Sequence, residues 1–283
     1  MNKLLTSLLL SILIATTCYS QNMFKDAVAL WTFGSYNDEA GENSLLKSHG
    51  EVSFVNLDGM EAQESNRRRG KAKAALFNGT AWLDAGQGIN GELNLTGKNI
   101  TIYVRAKATS VKKYSPILTK AGNDQNLAYS VALNPVANDV YVEVKMGSDE
   151  IGGTHLLKYK LPEEEIHAWH DILFRFNGET SELYIDGILR DDEVTVGQVR
   201  DWNRRPLLIG AQYKAPYGYA EINRNNVEST FDGLVDIVAL WNKNLSDDEV
   251  KTLSNVTTLA DGRPQYYTEK YRPQFHFSAK KNS

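Results

Sequence analysis

From Val28 onward the apolar residues recur mostly at every second position, in short runs separated by Gly, Asn and Asp. In the stretch NITIYVRAKA, Ile100, Ile102, Val104 and Ala106 fall on one side, with Thr101, Tyr103, Arg105 and Lys107 on the other. That period of two belongs to a strand with one face on a core and one toward solvent. VYVEVKM repeats it through Val140, Val142, Val144 and Met146, and HDILFRF through Ile172, Phe174 and Phe176. Further strands read at 27–33, 74–77, 81–85, 116–120, 128–134, 182–186, 206–210 and 233–241. Asn177-Gly178 and Asp186-Gly187 are short hairpin signals, because both central positions tolerate positive φ. More than ten short strands and almost no helix predict a β-sandwich or a barrel.

One helix is predicted over SDDEVKTLS. Ser246 followed three residues later by Glu249 forms a capping box, and the acidic first turn suits the helix dipole. The polar, unpatterned stretches 57–73, with Arg67, Arg68 and Arg69, and 211–230 read as long loops. The first twenty residues place Lys3 before an apolar run from Leu4 to Ala15, then small and polar residues up to Ser20. This predicts a secretory signal peptide over 1–20, since the run is too short to span a bilayer. Cys18, the only cysteine, raises an outer-membrane lipoprotein anchor as the alternative, although Ala15, Thr16 and Thr17 depart from the usual lipoprotein box. With cleavage after Ser20 the mature chain holds no disulfide, is secreted or periplasmic, and takes its stability from core packing.

The composition, 42% apolar and 23% charged over 283 residues, is that of an ordinary globular protein. A formal net charge of -4 gives no pull toward nucleic acid or an anionic membrane, so neither is an expected partner.

Several ordered motifs carry a resemblance. WHDILFRFNGETSELYIDGILRDD (169–192), PLLIGAQ, and FDGLVDIVALWNKNLSDDEVKTL (231–253), preceded by ALWTFGSYNDEAGENS and ALFNGTAWLDAG, resemble the laminin-G-like, concanavalin A-like domains of secreted bacterial proteins. The likeness covers residues 24–258 and implies a jelly-roll β-sandwich of two antiparallel sheets with one short C-terminal surface helix. Phe33 is followed by Gly34 where the family pattern has Asp, and Asp236-Ile237-Val238 replaces Asp-Glu-Val. Both departures count against a calcium site. A second likeness lies in YRPQFHFSAKKNS (271–283), which resembles the approach to the propeller of family 32 glycoside hydrolases. It implies three parts: a signal peptide over 1–20, a sandwich over 21–258, and a linker with the beginning of a catalytic propeller over 259–283.

A retaining fructosidase needs two closely placed carboxyl groups, and neither of the family's catalytic motifs occurs. His167 and His170, three apart, lack HExxH and a third ligand, so structural roles are expected. The triple Arg suits an acidic partner or, more simply, a solvated loop. Trp202, Tyr213, Tyr217 and Tyr219, among Asn203, Arg204, Asn223, Arg224 and Asn225, offer flat faces and planar polar groups suited to sugar rings. The plainer role for them is loop filling along the sandwich edge. Trp31, Trp82, Trp169 and Trp241 read as core. For a structural calcium, Asp124 with Asn123 and Asn126, and Asp232 with Asp236, supply hard oxygen donors. The expectation is a secreted, non-catalytic carbohydrate-binding or positioning module of a fructan- or sucrose-hydrolysing family 32-type enzyme. A fragment of the full glycosidase and a free-standing adhesion domain are the alternatives.

Overall fold

The alternating runs fold as strands in the computed structural model. It describes residues 24–37, 39–40, 46–57, 73–87, 91–121, 127–149, 153–200, 206–213, 227–254, 257–258 and 264–265. In chain order these are β1 (Ala29–Trp31), β2 (Lys47–His49), β3 (Ser53–Asn56), β4 (Lys73–Asn78), β5 (Trp82–Gly86) and β6 (Ile100–Ala108). There follow β7 (Ser115–Ala121), β8 (Leu127–Val136), β9 (Asp139–Gly147), β10 (Thr154–Leu161), β11 (Trp169–Phe176) and β12 (Thr180–Ile185). The last are β13 (Ile188–Val194), β14 (Leu207–Ile209), β15 (Ala211–Tyr213), β16 (Val227–Thr230), β17 (Asp232–Trp241) and the helix α1 (Asp247–Leu253).

Two sheets result. The first runs β13-β12-β11-β6-β17-β4-β3, with β1 also on β17, and the second runs β10-β9-β8-β7-β14-β5-β2. Their pairings are antiparallel. Inner faces meet in one core, where Ile102, Val104 and Phe174 of the first sheet oppose Val131, Val142 and Val144 of the second. This is the expected jelly-roll sandwich, with α1 as the one α-helix among the described residues. No helix among them is long and apolar enough to cross a membrane.

The first sheet departs from its expected half-exposed form. Thr101, Tyr103 and Arg105, placed toward solvent by the alternation, are at 0%, 0% and 6% exposure. For Thr101 and Tyr103 the cause lies in the chain after β17, which turns back over that face, whereas Arg105 lies against the Trp169 ring and pairs with Asp171. Thr101 Oγ1 donates to Lys243 O at 2.7 Å and accepts from Leu245 N at 3.1 Å. Arg175 donates to Leu245 O and to Asp247, each at 2.7 Å, which ties down the start of α1. Val250 and Leu253 then cover Tyr103, Leu173, Ile237 and Trp241 as a second apolar layer, and Phe24 stacks on Trp241 with centroids 5.9 Å apart. The capping box forms as predicted: Ser246 Oγ accepts from Glu249 N, and Glu249 accepts from Ser246 N.

The two hairpin signals come out differently. Asp186 and Gly187 both take positive φ, 53° and 77°, and close a two-residue turn between the paired Ile185 and Ile188. At Asn177-Gly178 only Gly178 has positive φ, and the first β11–β12 pair is Phe176 with Ser181. The Asn177 side chain accepts from the backbone N–H of Glu179 and Thr180 at 2.9 and 2.8 Å, so it acts as a surrogate backbone carbonyl and lengthens the turn.

His170 has the structural role expected of it. Its Nδ1 meets Asp186 Oδ2 at 2.9 Å and its Nε2 meets the Glu165 carbonyl at 2.8 Å, joining β11 to the Asp186 turn and to the 3-10 turn Glu163–Glu165. Both partners are acceptors, so the doubly protonated ring satisfies both contacts and the neutral ring only one. Burial pulls the pKa down, but the Asp186 carboxylate and the Glu165 carbonyl outweigh it and raise the pKa above the ordinary histidine value. A folded pKa above the unfolded one stabilises fully below about pH 6.5, and that contribution disappears as pH rises through the folded value. Urea unfolding from pH 5.5 to 8.5 is therefore expected to show an alkaline loss of stability in the native protein that His170→Gln lacks. Parallel profiles would contradict it.

Candidate functional site

The outer face of the second sheet is built by the residues that alternate with its core positions. Leu133, Val142 and Val144 point inward, so their neighbours Asn134, Tyr141, Glu143 and Lys145 point outward. Register lines these up across strands: Asn134 pairs with Tyr141 and Tyr141 with Lys160; Ala132 pairs with Glu143 and Glu143 with Lys158. Tyr114 stands just before β7, whose Ser115 pairs with Leu133.

Half-buried rings and hydrogen-bonding groups interleave on this face. Asn134 Nδ2 donates to Glu143 Oε1 at 2.9 Å. The Lys158 ammonium lies 5.6 Å from the Tyr141 ring centroid, and that of Lys145 lies 5.8 Å from the Tyr114 centroid. Lys160 pairs with Asp139 at 2.7 Å. Sequence reading took the polar members of VYVEVKM simply as the solvent side. The available signal was Tyr141, Glu143 and Lys145 in succession, an aromatic, an acid and a base on one outward row.

At the opposite end of the same sheet, Trp82 is buried and stacks on His49 with centroids 5.1 Å apart and planes 4° from parallel. It packs with Leu208 and Tyr213 beside the β15–β16 ribbon. Trp82 is thus buried, as expected, but in this small outer cluster rather than in the main core. Tyr213, proposed as a sugar platform, is 5% exposed and serves packing there. Trp202, Asn203, Arg204, Tyr217, Tyr219 and Arg224 lie outside the described residues, as do Asn223 and Asn225. Their anchors are described: Arg200 donates to Ser148 O at 3.1 Å, and Tyr213 is paired with Val227.

Of the metal candidates, Asp232 and Asp236 lie among the described residues. Asp124, with Asn123 and Asn126, lies outside the described residues. Asp236 is fully buried beside Arg105, Nε to Oδ2 3.6 Å, and Asp232 begins β17 opposite Asn78. No group of three His, Cys, Asp or Glu that could hold a metal ion forms among the described residues. Trp169, expected in the core, is half-buried with its ring 5.4 Å from Arg105, and Trp31 and Trp241 are fully buried. Residues 1–20 with Cys18, Arg67 to Arg69, and 271–283 also lie outside the described residues.

Residues 79–251, more than half of the chain, match the Laminin_G_3 family model of the concanavalin A-like lectin/glucanases superfamily. No curated protein sequence matches the chain. Among solved structures, one similar fold is domain 4 of AbnA, an extracellular arabinanase from Geobacillus stearothermophilus, in complex with arabinotriose. Identity is 14% and the TM-score 0.55, over 81% of this chain and 98% of that one. Another is the binding domain of botulinum neurotoxin DC in complex with rat synaptotagmin II, at 11% identity and TM-score 0.56, over 87% of this chain and 56% of that one. A structure of botulinum neurotoxin type C, whose cell entry is dependent upon interaction with two ganglioside molecules, matches at 10% identity and TM-score 0.55, over 83% of this chain and 52% of that one. These likenesses describe the fold.

Proposed function

The chain belongs to the concanavalin A-like lectin/glucanases superfamily, and from that premise we propose that it is a non-catalytic carbohydrate-binding module. The observation that carries this reading is the outer face of β8, β9 and β10, where the Tyr114 and Tyr141 rings accompany the Asn134–Glu143 pair. A pyranose or furanose offers an apolar C–H face and a rim of hydroxyls. Tyrosine rings take the first, while amide, carboxylate and ammonium groups take the second. The same fold holds arabinotriose in the arabinanase domain, which supports the reading without locating the site.

Affinity electrophoresis of the purified chain through gels containing arabinan, inulin, dextran or polygalacturonate tests it. Retention on at least one gel is expected, with Tyr141→Ala weakening it about tenfold, near 1.4 kcal/mol. The loops remain the competing location. A Trp202→Ala, Tyr217→Ala double variant that loses retention while Tyr141→Ala keeps it would move the site there.

The wider setting is also proposed. The leader-like stretch 1–20 supports secretion. Tyr271, Arg272, Pro273, His276 and Phe277, in the order found before a family 32 propeller, support service as the accessory part of a fructan- or sucrose-hydrolysing enzyme. Release of fructose from inulin, levan or sucrose by the purified 283-residue chain would overturn the non-catalytic reading.

A further inference from the structure

We propose that the outer face of β8, β9 and β10 selects an acidic glycan, a polysaccharide whose rings carry carboxylate or sulfate groups; this rests on the carbohydrate-binding reading above. In the free protein an ammonium sits near each tyrosine ring that a sugar would use, Lys158 on Tyr141 and Lys145 on Tyr114. A neutral sugar that stacks on Tyr141 must push Lys158 aside. The cation–π attraction is then lost, and the displaced ammonium gains only water. An acidic sugar changes that balance, because the displaced ammonium swings onto the ligand's anion in a charge-assisted hydrogen bond while the ring takes the sugar's C–H face.

The charges around Lys158 favour such a ligand. Among the described residues Lys158 pairs with no carboxylate. Glu143, opposite it across the strand pair, is 7% exposed and accepts the Asn134 amide. Asp139 is held by Lys160. Asp191 accepts from the Lys158 backbone N–H at 2.8 Å, not from its ammonium. Glu143 is therefore buried and Asp139 is neutralised by Lys160, while Lys158 is exposed. The Lys158 ammonium is thus a local positive site on a chain whose net charge is -4.

The test compares gels containing polygalacturonate, sulfated dextran and plain dextran, with single-stranded DNA as a competing polyanion. Retention is expected on the polygalacturonate or sulfated gel and not on plain dextran, and the two acidic gels tell a carboxylate from a sulfate ligand. It should weaken as salt rises from about 0.05 to about 0.5 M. Lys158→Gln should reduce it about fivefold to tenfold and Lys158→Arg should keep it, with unchanged thermal unfolding showing that both variants are folded. Equal retention on plain dextran, unaffected by Lys158→Gln, would overturn the acidic preference and leave sugar binding standing. Retention on no gel, these or the neutral arabinan and inulin, would remove both. Displacement by DNA as effective as by free polygalacturonate would reduce the face to a general polyanion surface and overturn the proposal.

Discussion

Asp171→Ala should lower the folding free energy by about 3–5 kcal/mol, read as a fall in the urea midpoint. Asp171 joins the centre of the first sheet. Its Oδ1 accepts from Tyr103 OH at 2.6 Å and from Arg105 Nη1 at 2.9 Å. The two ion-paired side chains are 6% and 8% exposed. Arginine cannot shed its charge when buried. Burial alone would depress the Arg105 pKa, but Asp171, Tyr103 and Asp236 outweigh it and push the value above its ordinary range. Removing Asp171 leaves that guanidinium, far from water, with Asp236 at 3.6 Å. Burial, reinforced by the negative charge of Asp171, raises the Tyr103 pKa well above normal, so the phenol stays protonated and its O–H loses its acceptor. Removing the charges together, as Arg105→Met, Asp171→Leu and Asp236→Leu, should cost less than Asp171→Ala alone, since no uncompensated ion remains. A single variant as mild as the triple would show that the cluster does not hold the sheet.

That cluster also shows what a linear pattern leaves out. Alternation in NITIYVRAKA assigned Ile102 and Val104 to the core correctly, because side-chain direction on a strand is a local property. It could not tell that Arg105 and Tyr103 are buried as well. Tyr103 is covered by α1, well over a hundred residues later, and Arg105 is buried against Trp169 and Asp171 from a different strand. The Asp186-Gly187 turn was legible for the same local reason as the capping box at Ser246. The Asn177 turn was not, since the choice between positive φ and a side-chain acceptor is made by packing at its ends. β13, edge strand of the first sheet, hides behind Arg190, Asp191, Asp192 and Glu193, charges that guard an exposed edge and erase the apolar alternation. The candidate face was harder to see. Tyr141 and Lys158 stand 17 residues apart, and only the β9–β10 register makes them diagonal neighbours.

Gly210→Ala should cost about 2–5 kcal/mol, and two other glycines supply its controls. Gly210 joins β14 to β15 at φ 82°, donates to Ile117 O at 2.8 Å, and accepts from Phe231 N at 2.9 Å. A Cβ there meets Phe77 Cδ1 and Cε1 at 2.6 Å. Phe77 is fully buried with its centroid 6.2 Å from that of Phe231, so the ring has no free space to retreat into. The substitution thus combines left-handed strain, roughly 1–2 kcal/mol, with overpacking of about 1–3 kcal/mol. Gly86 has φ 66° and nothing within 4 Å of its Cβ position, so Gly86→Ala isolates the backbone term. Gly34 has neither constraint, and Gly34→Ala should be close to neutral. Chemical unfolding should rank Gly34→Ala, Gly86→Ala and Gly210→Ala in increasing damage, with Phe77→Leu recovering part of the Gly210→Ala loss. A Gly210→Ala protein no worse than Gly86→Ala would mean that Phe77 can move. The β15–β16 ribbon launched at Gly210, whose paired ends Tyr213 and Val227 bracket residues 214–226, would then be held less firmly than its contacts require.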